Sequence, residues 1–336
     1  MENPAGVPQV SSNLADHLRS IIPSQTHSAL ADAVLPTLID CIADISKALR
    51  KAHHVSRAGT SNEFGDDQLN VDVLAENTVR DAIASCPFIV TASSEEDPEE
   101  RSAQRSQTSS VPAEHYTVAF DPLDGSSIIA PNWTVGTIIG IWQGKTALNQ
   151  PPATTQVAAI LGVYGPRTIA IVALRVPGAE PRCLELGVGE NGARDSEVIR
   201  PVVRFAEPPF KTRWFAPANL RAAAESEPYM ALITHFIQNK YTLRYSGGLV
   251  PDVVHALTKG HGIYISPVTA ASKAKLRRLF ELYPLALIVE CAGGKAISPA
   301  DGSDILDRPL EHVNETAGLV CGTAEDVDFV KKALIK

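Results

Sequence analysis

Apolar residues recur every three or four positions early in the chain. Leu35, Leu38, Ile39, Ile42, Ile45, Ala48 and Leu49 mark one face of a helix within 14–50. Pro36 lies near its start, where a missing N–H is harmless. The same spacing returns over 71–84 and stops before Pro87. Between these helices, 51–70 is rich in Gly, Ser, Asn and Asp and reads as a long loop. Short apolar runs at 88–92, 116–120, 135–142, 156–164 and 168–174 read as strands. Residues 93–110 are polar without period, and their second half reads as an exposed insertion. After Pro-rich connections around 201–209 the alternation resumes. Strands are expected at 213–215, 243–245, 262–265 and 286–290, and helices at 218–224, 227–238, 250–257 and 273–282. Both halves mix helices and strands, which predicts two layered α/β domains, 1–205 and 206–336.

Length agrees, because 336 residues exceed the size at which one core stops growing. The composition, 44% hydrophobic and 20% charged, is that of a globular chain. Net charge is 30 − 38 = −8, which argues against a nucleic-acid binder. No apolar run approaches the ~20 residues of a membrane span. The first residues resemble neither a signal nor a transit peptide, so a cytoplasmic chain is expected. The 5 cysteines are widely spaced, which predicts buried thiols rather than disulfides or zinc ligands.

Carboxylates carry the chemistry. Asp66/Asp67 with Asp72, Glu95/Glu96/Asp97, Asp121/Asp124 and Glu281 sit at the ends of expected elements. If they converge, they repel one another, and hard cations such as Mg²⁺ are the natural partner. In Asp121-Pro122-Leu123-Asp124-Gly125-Ser126-Ser127 the Asp-Pro step favours extended backbone at Asp121. Both aspartates can then face one ion, and amides from Gly125 onward can cradle a phosphate. Taken singly, each piece has a plain reading: an ordinary turn, a solvated acidic run, or an ion-pair partner on a basic helix. Their joint presence favours the chemical reading.

That set resembles the fructose- and sedoheptulose-bisphosphatase family of metal-dependent, lithium-sensitive-type phosphatases. The likeness is densest in 64–75, 94–96, 120–127, 244–252 and 273–294. It rests on Lys273-Ala-Lys-Leu-Arg-Arg-Leu-Phe-Glu281 and Glu290-Cys-Ala-Gly-Gly294 beside the Asp-Pro-Leu-Asp-Gly-Ser-Ser motif. Phe64-Gly-Asp-Asp-Gln-Leu-Asn-Val-Asp-Val-Leu-Ala75 and Leu243-Arg-Tyr-Ser-Gly-Gly-Leu-Val-Pro-Asp252 look more like the sedoheptulose branch. The resemblance implies a two-domain αβαβα sugar-phosphatase fold and hydrolysis of the 1-phosphate of sedoheptulose 1,7-bisphosphate. A fructose 1,6-bisphosphatase, or an enzyme acting on both, is the alternative. An inositol phosphatase and a non-catalytic sugar-phosphate binder are more distant rivals.

The resemblance also implies roles. Glu95, Asp121, Asp124, Glu281 and the Leu123 carbonyl hold Mg²⁺ or Mn²⁺, and Asp66 adds a ligand from a closing loop. Glu96 and Asp72 activate water. Gly125, Ser126, Ser127 and Arg277 hold the 1-phosphate, while Asn219, Arg244, Tyr245, Gly247 and Lys275 hold the distal one. Tyr229 is a weaker candidate. A homodimer or homotetramer is implied, with Arg244 reaching a neighbouring subunit's site. The spacing of Lys275 and Arg277 on one helix would let it serve both phosphates. Gly247 and Gly248 could leave room for the extra carbon. The chain departs from the fructose enzymes at Ile265-Ser266, where no phenol is left for the distal phosphate, at Ile128, where the family usually has Asn, and at His115-Tyr116, which speaks against an adenylate switch. The chain lacks Asp-x-Asp-x-Thr, so no phosphoenzyme is expected.

Overall fold

The computed structural model describes residues 13–61, 67–103 and 112–335. Asp66 lies outside them, so its expected role has no structural counterpart here.

Helices α1 (Leu14–Ile21), α2 (Ser24–Ala29) and α3 (Leu35–Lys51) open the chain. The hairpin β1 (Arg57–Ser61) and β2 (Asp67–Leu69) follows, where only a loop was expected. Next come α4 (Asn70–Ser85), β3 (Ile89–Ser94) and β4 (Arg101–Ser102). Strand β5 (Tyr116–Asp124) does not end at Phe120 but carries the acidic motif within it, and α5 (Ser126–Ile129) follows. Strand β6 (Val135–Gln143) is followed by α6 (Pro152–Thr155). The rest of the sheet is β7 (Gln156–Tyr164), β8 (Thr168–Leu174), β9 (Arg182–Gly189) and β10 (Gly192–Arg200). The eight strands run in the order β10-β9-β8-β7-β6-β5-β3-β4, antiparallel except for the parallel pair β3–β5.

The second half begins with β11 (Trp214–Pro217), then α7 (Glu227–Gln238), β12 (Thr242–Leu243), α8 (Leu249–Lys259) and β13 (Ile263–Ser266). Next come β14 (Leu276–Arg277), a π-helical turn at Arg278–Leu282 and α9 (Tyr283–Cys291). The chain closes with β15 (Lys295–Ile297), β16 (Thr316–Ala317), β17 (Leu319–Gly322) and α10 (Ala324–Leu334). Strands β12-β11-β13-β17-β15 make a second sheet, with β12, β11 and β13 parallel. Helices α1–α4 cover one face of the large sheet, α8 and α9 fill the space between the sheets, and α7 and α10 cover the outside. The result is the expected αβαβα stack.

Covering on both faces explains the uninterrupted burial of β5 and β7, where apolar residues run on without alternation. The same burial corrects two expectations. Residues 286–290 are not a strand but part of α9, whose side chains are buried almost throughout. A short apolar run looks alike in a buried helix and a buried strand. Residues 273–282 are not one helix: Lys275 lies in irregular backbone, Arg277 in β14, and Glu281 in the π-helical turn. Two further strands were not expected: β10, at the edge of the sheet, mixes buried and exposed positions, and the buried run of β9 beside it is only Cys183–Leu186.

Close packing of α8 on β6 depends on Gly136. A Cβ there would stand 2.5 Å from Val250 Cγ1 and 2.8 Å from the Gly162 carbonyl oxygen. Gly136→Ala is therefore expected to cost about 1–3 kcal/mol, because a well-packed seam must shift to admit a methyl group. Urea unfolding reads this directly, and an unchanged midpoint would contradict it.

Candidate metal and phosphate site

The parallel pairing of β3 and β5 sets Ser94 opposite Phe120, so both strands release their next residues side by side. The Glu95 N–H donates to the Phe120 carbonyl at 3.0 Å, which places Glu95 next to Asp121. Asp121 accepts the Leu123 N–H at 3.0 Å and so fixes the local turn. The β5–β6 register shifts between Asp121 and Asp124, letting both aspartates leave the regular ladder. Asp124 reaches across the molecule: its carboxylate accepts the Leu249 and Val250 N–H groups at 3.1 and 2.7 Å. These are orphan amides at the start of α8. Glu281 arrives from the π-helical turn, packed on β5 and β6, and accepts the Arg277 N–H.

These acids sit in one another's field. Burial drives Asp121 well above the usual carboxylate range, and Glu95, Asp124 and Glu281 push it further. Glu281 is likewise raised well above its ordinary value by burial and then by Glu95, with the Arg277 N–H opposing. Burial lifts Asp124 to about 6 against the two α8 amides. Arg277 lies near them, its Nε 3.8 Å from Glu95 Oε1. Oxygen-only donors, buried and short of positive charge, fit a hard divalent cation and do not fit a soft one. Among the described residues no three such side chains are gathered at ligand distance. Oxygens of Asp121, Asp124 and Glu281 are turned instead to the backbone N–H groups just named, with lone pairs left over.

Two further acids flank this group. Asp72 opens α4, is 5% exposed, and accepts the Leu69 N–H at 2.9 Å. Its Oδ1 is buried with no hydrogen-bond partner among the described residues. Burial raises its carboxyl to about 6, with the Leu69 amide opposing. Glu96 accepts from Gln68 Nε2. Consecutive residues of β2 thus hold both acids, a role for Gln68 that no sequence signal announced. Asp97 proves to be scaffold: its N–H meets Ser94 Oγ at 3.0 Å, and Ser94 Oγ donates to Glu76, which pairs with Arg80 at 2.7 Å. That network fixes the turn bearing Glu95 and Glu96.

Beyond Asp124, Gly125 takes a left-handed φ of 97° and caps α5, which starts at exposed Ser126 and Ser127. Asn219 follows the carboxyl end of β11, and Arg244, Tyr245 and Gly247 follow that of parallel β12. Asn219, with a left-handed φ of 52°, donates through Nδ2 to the Pro267 carbonyl at 3.0 Å. Arg244 lies 4.8 Å over the Trp214 ring and Tyr245 is 45% exposed. Gly247 offers its N–H to Asp252 at 3.4 Å. Lys275 is exposed. Tyr229 is excluded from contact with a ligand: it is fully buried and its hydroxyl donates to the Ala218 carbonyl at 3.2 Å. Gly248 also has a packing role, since a Cβ there would lie 2.9 Å from Pro251 Cγ. A cavity of about 890 Å³ adjoins this region, lined by Trp133, Tyr164, Arg244, Tyr245 and His255 among others and by none of the four clustered carboxylates.

Raised carboxyls make a definite prediction. A folded state that binds more protons than the unfolded chain loses stability as pH rises through the folded pKa. For Asp124 and Asp72 that loss runs from the ordinary carboxylate range up to about 6, and for Asp121 and Glu281 it extends higher. A divalent cation held by these carboxylates would have to displace their protons. The rise in thermal midpoint on adding Mg²⁺ is expected to be small near pH 5.5 and to grow toward pH 8. Differential scanning fluorimetry across pH checks this, and a pH-independent rise would contradict it.

The chain is similar to known proteins over most of its length. The sequence profile for the N-terminal domain of fructose-1-6-bisphosphatase matches residues 19–191, and that for the C-terminal domain matches 209–335. The chloroplastic sedoheptulose-1,7-bisphosphatase of Spinacia oleracea is 35% identical over 327 residues, covering 96% of this chain and 78% of the relative. The class 1 fructose-1,6-bisphosphatase of Citrifermentans bemidjiense is 33% identical over 337 residues, covering 97% and 93%. A Toxoplasma gondii crystal structure assigned to sedoheptulose-1,7 bisphosphatase superposes with a TM-score of 0.83 at 33% identity, covering 96% and 98%.

Proposed function

We propose that this chain, which belongs to the fructose-1-6-bisphosphatase family, removes the 1-phosphate of sedoheptulose 1,7-bisphosphate with a divalent metal, yielding sedoheptulose 7-phosphate and phosphate. As a member of that family it is a sugar bisphosphatase, a phosphoric monoester hydrolase. One observation carries the reading: buried carboxylates short of positive charge lie beside Arg277, while a second polar group stands at the carboxyl ends of β11, β12 and β13. A hydrolytic centre and an anchor for a second phosphate thus share one molecule.

In this reading Glu95, Asp121, Asp124, Glu281 and the Leu123 carbonyl hold Mg²⁺, or Mn²⁺, with Asp66 as a further ligand. When bound, the metal stabilises charge on the phosphoryl and leaving oxygens and makes water acidic enough to attack. Glu96 and Asp72 accept the proton of the attacking water. With its carboxyl at about 6, Asp72 is ionised at neutral pH and able to do so. Amides of Gly125 and Ser126, the Ser127 hydroxyl and the Arg277 guanidinium hold the 1-phosphate. Asn219, Arg244, Tyr245, Gly247 and Lys275 hold the distal phosphate. No phosphoenzyme forms.

The division at 205/206 is supported by the gap between the two profile matches, 191 to 209. A homodimer or homotetramer is supported by exposed Trp133, Leu243 and Tyr245 around Arg244. Arg244 would leave Trp214 to enter the neighbour's site. A cytoplasmic location remains part of this reading. No helix among the described residues is long and apolar enough to cross a membrane. The second reading, fructose 1,6-bisphosphate as main substrate, draws on relatives of nearly equal identity, 33% against 35%. Phosphorus NMR of the reaction tests the position of cleavage. Loss of the C1 signal with the C7 signal retained is expected, and loss at C7 would overturn the assignment.

A further inference from the structure

Strands β12, β11 and β13 are parallel, and their carboxyl ends deliver Arg244 and Tyr245, Asn219, and Pro267 to one edge of the sheet. In open α/β sheets that edge is where ligands bind. Two residues past Asn219 stands Arg221, in the 3₁₀ turn Leu220–Ala224. It is exposed and forms no ion pair or hydrogen bond among the described residues.

The turn that carries it is held from both ends. Asn219 Nδ2 donates to the Pro267 carbonyl at 3.0 Å, and Thr269 Oγ1 donates to Glu225. These bonds clamp the turn to the 267–272 segment, which leads directly to Lys275, another exposed cation that forms no ion pair among the described residues. The Arg221 charge also reaches the Tyr245 phenol. Burial raises that phenol first and Asp252 next, and Arg221 pulls it back. An exposed arginine without a carboxylate partner, carried on a clamped turn at a ligand edge, is free to donate to a phosphate dianion.

We propose that Arg221 is a specificity-determining residue that binds the distal phosphate of the sugar bisphosphate, from the turn clamped to the segment that leads to Lys275. The role rests on the bisphosphatase reading. It needs no help from the carboxylate cluster, and it separates binding from chemistry: Arg221 acts on the phosphate that stays.

Arg221→Gln, Arg221→Lys and the unsubstituted enzyme, all with saturating Mg²⁺, test it. Arg221→Gln is expected to raise KM for sedoheptulose 1,7-bisphosphate about 10- to 100-fold, the loss of one charged hydrogen-bonding group. Its kcat should change by less than about threefold, because the leaving 1-phosphate is untouched. Inhibition by sedoheptulose 7-phosphate should weaken in parallel, inhibition by inorganic phosphate should not, and Arg221→Lys should recover part of the loss. An unchanged KM, or a fall in kcat at constant KM, overturns the proposal. If the unsubstituted enzyme acts on fructose 1,6-bisphosphate alone, the seven-carbon reading fails instead. The same KM comparison on the six-carbon substrate then decides the role of Arg221.

Discussion

Replacing Asp121 by Asn is expected to lower kcat about a thousandfold at saturating Mg²⁺, and at the same time to stabilise the metal-free protein. The first effect follows from the proposed role of Asp121 as a metal ligand, whose charge would help hold the ion against the developing phosphate charge. The second follows from the same group without its ion. Asp121 is 4% exposed, and burial, Glu95, Asp124 and Glu281 all work against its charge. An amide of the same shape removes that repulsion and can keep the Leu123 N–H bond through its carbonyl. The gain in thermal midpoint should be clear near pH 8 and vanish near pH 5, where a proton already neutralises the carboxyl. An Asp121→Asn protein that is less stable than its parent without metal, or active within tenfold of it, contradicts the account.

The second large effect concerns the two proposed bases, Glu96 and Asp72. Glu96→Gln and Asp72→Asn should each lower kcat by about 10²- to 10⁴-fold with little change in KM, the mark of a group that acts on the proton in flight. Asp72 adds a pH signature. With its carboxyl raised to about 6 by burial, activity should fall as pH drops through that value. The Asp72→Asn enzyme should keep its residual rate flat over the same interval. A rise in KM with kcat preserved would instead place both residues in substrate binding.

Which parts of this were legible in the sequence has a physical reason. Asp121, Leu123 and Asp124 were visible because their chemistry is local: one strand end, one Asp-Pro step, one turn. Glu95 joined them because a short strand precedes it, although its place next to Asp121 depends on a parallel pairing that no local pattern reports. Helix α9 was misread because burial between two sheets erases the period that separates helix from strand. Strand β10 was missed for the opposite reason, because at the edge of the sheet it is half polar, and β9 because its buried run, Cys183–Leu186, is short. The hydrogen bonds from Leu249 and Val250 to Asp124 span 125 and 126 residues and leave no trace in composition or spacing. Gln68 carries no local signal, because its bond to Glu96 exists only through what the fold brings beside it.

The central claim is that this acidic cluster serves a seven-carbon bisphosphate. Phosphate release from sedoheptulose 1,7-bisphosphate and fructose 1,6-bisphosphate, measured side by side with Mg²⁺ and fitted to kcat/KM, tests it most directly. The account predicts turnover that stops when the metal is chelated and a higher kcat/KM for the seven-carbon substrate. Equal or greater kcat/KM for fructose 1,6-bisphosphate, or release that persists in excess chelator, would contradict it.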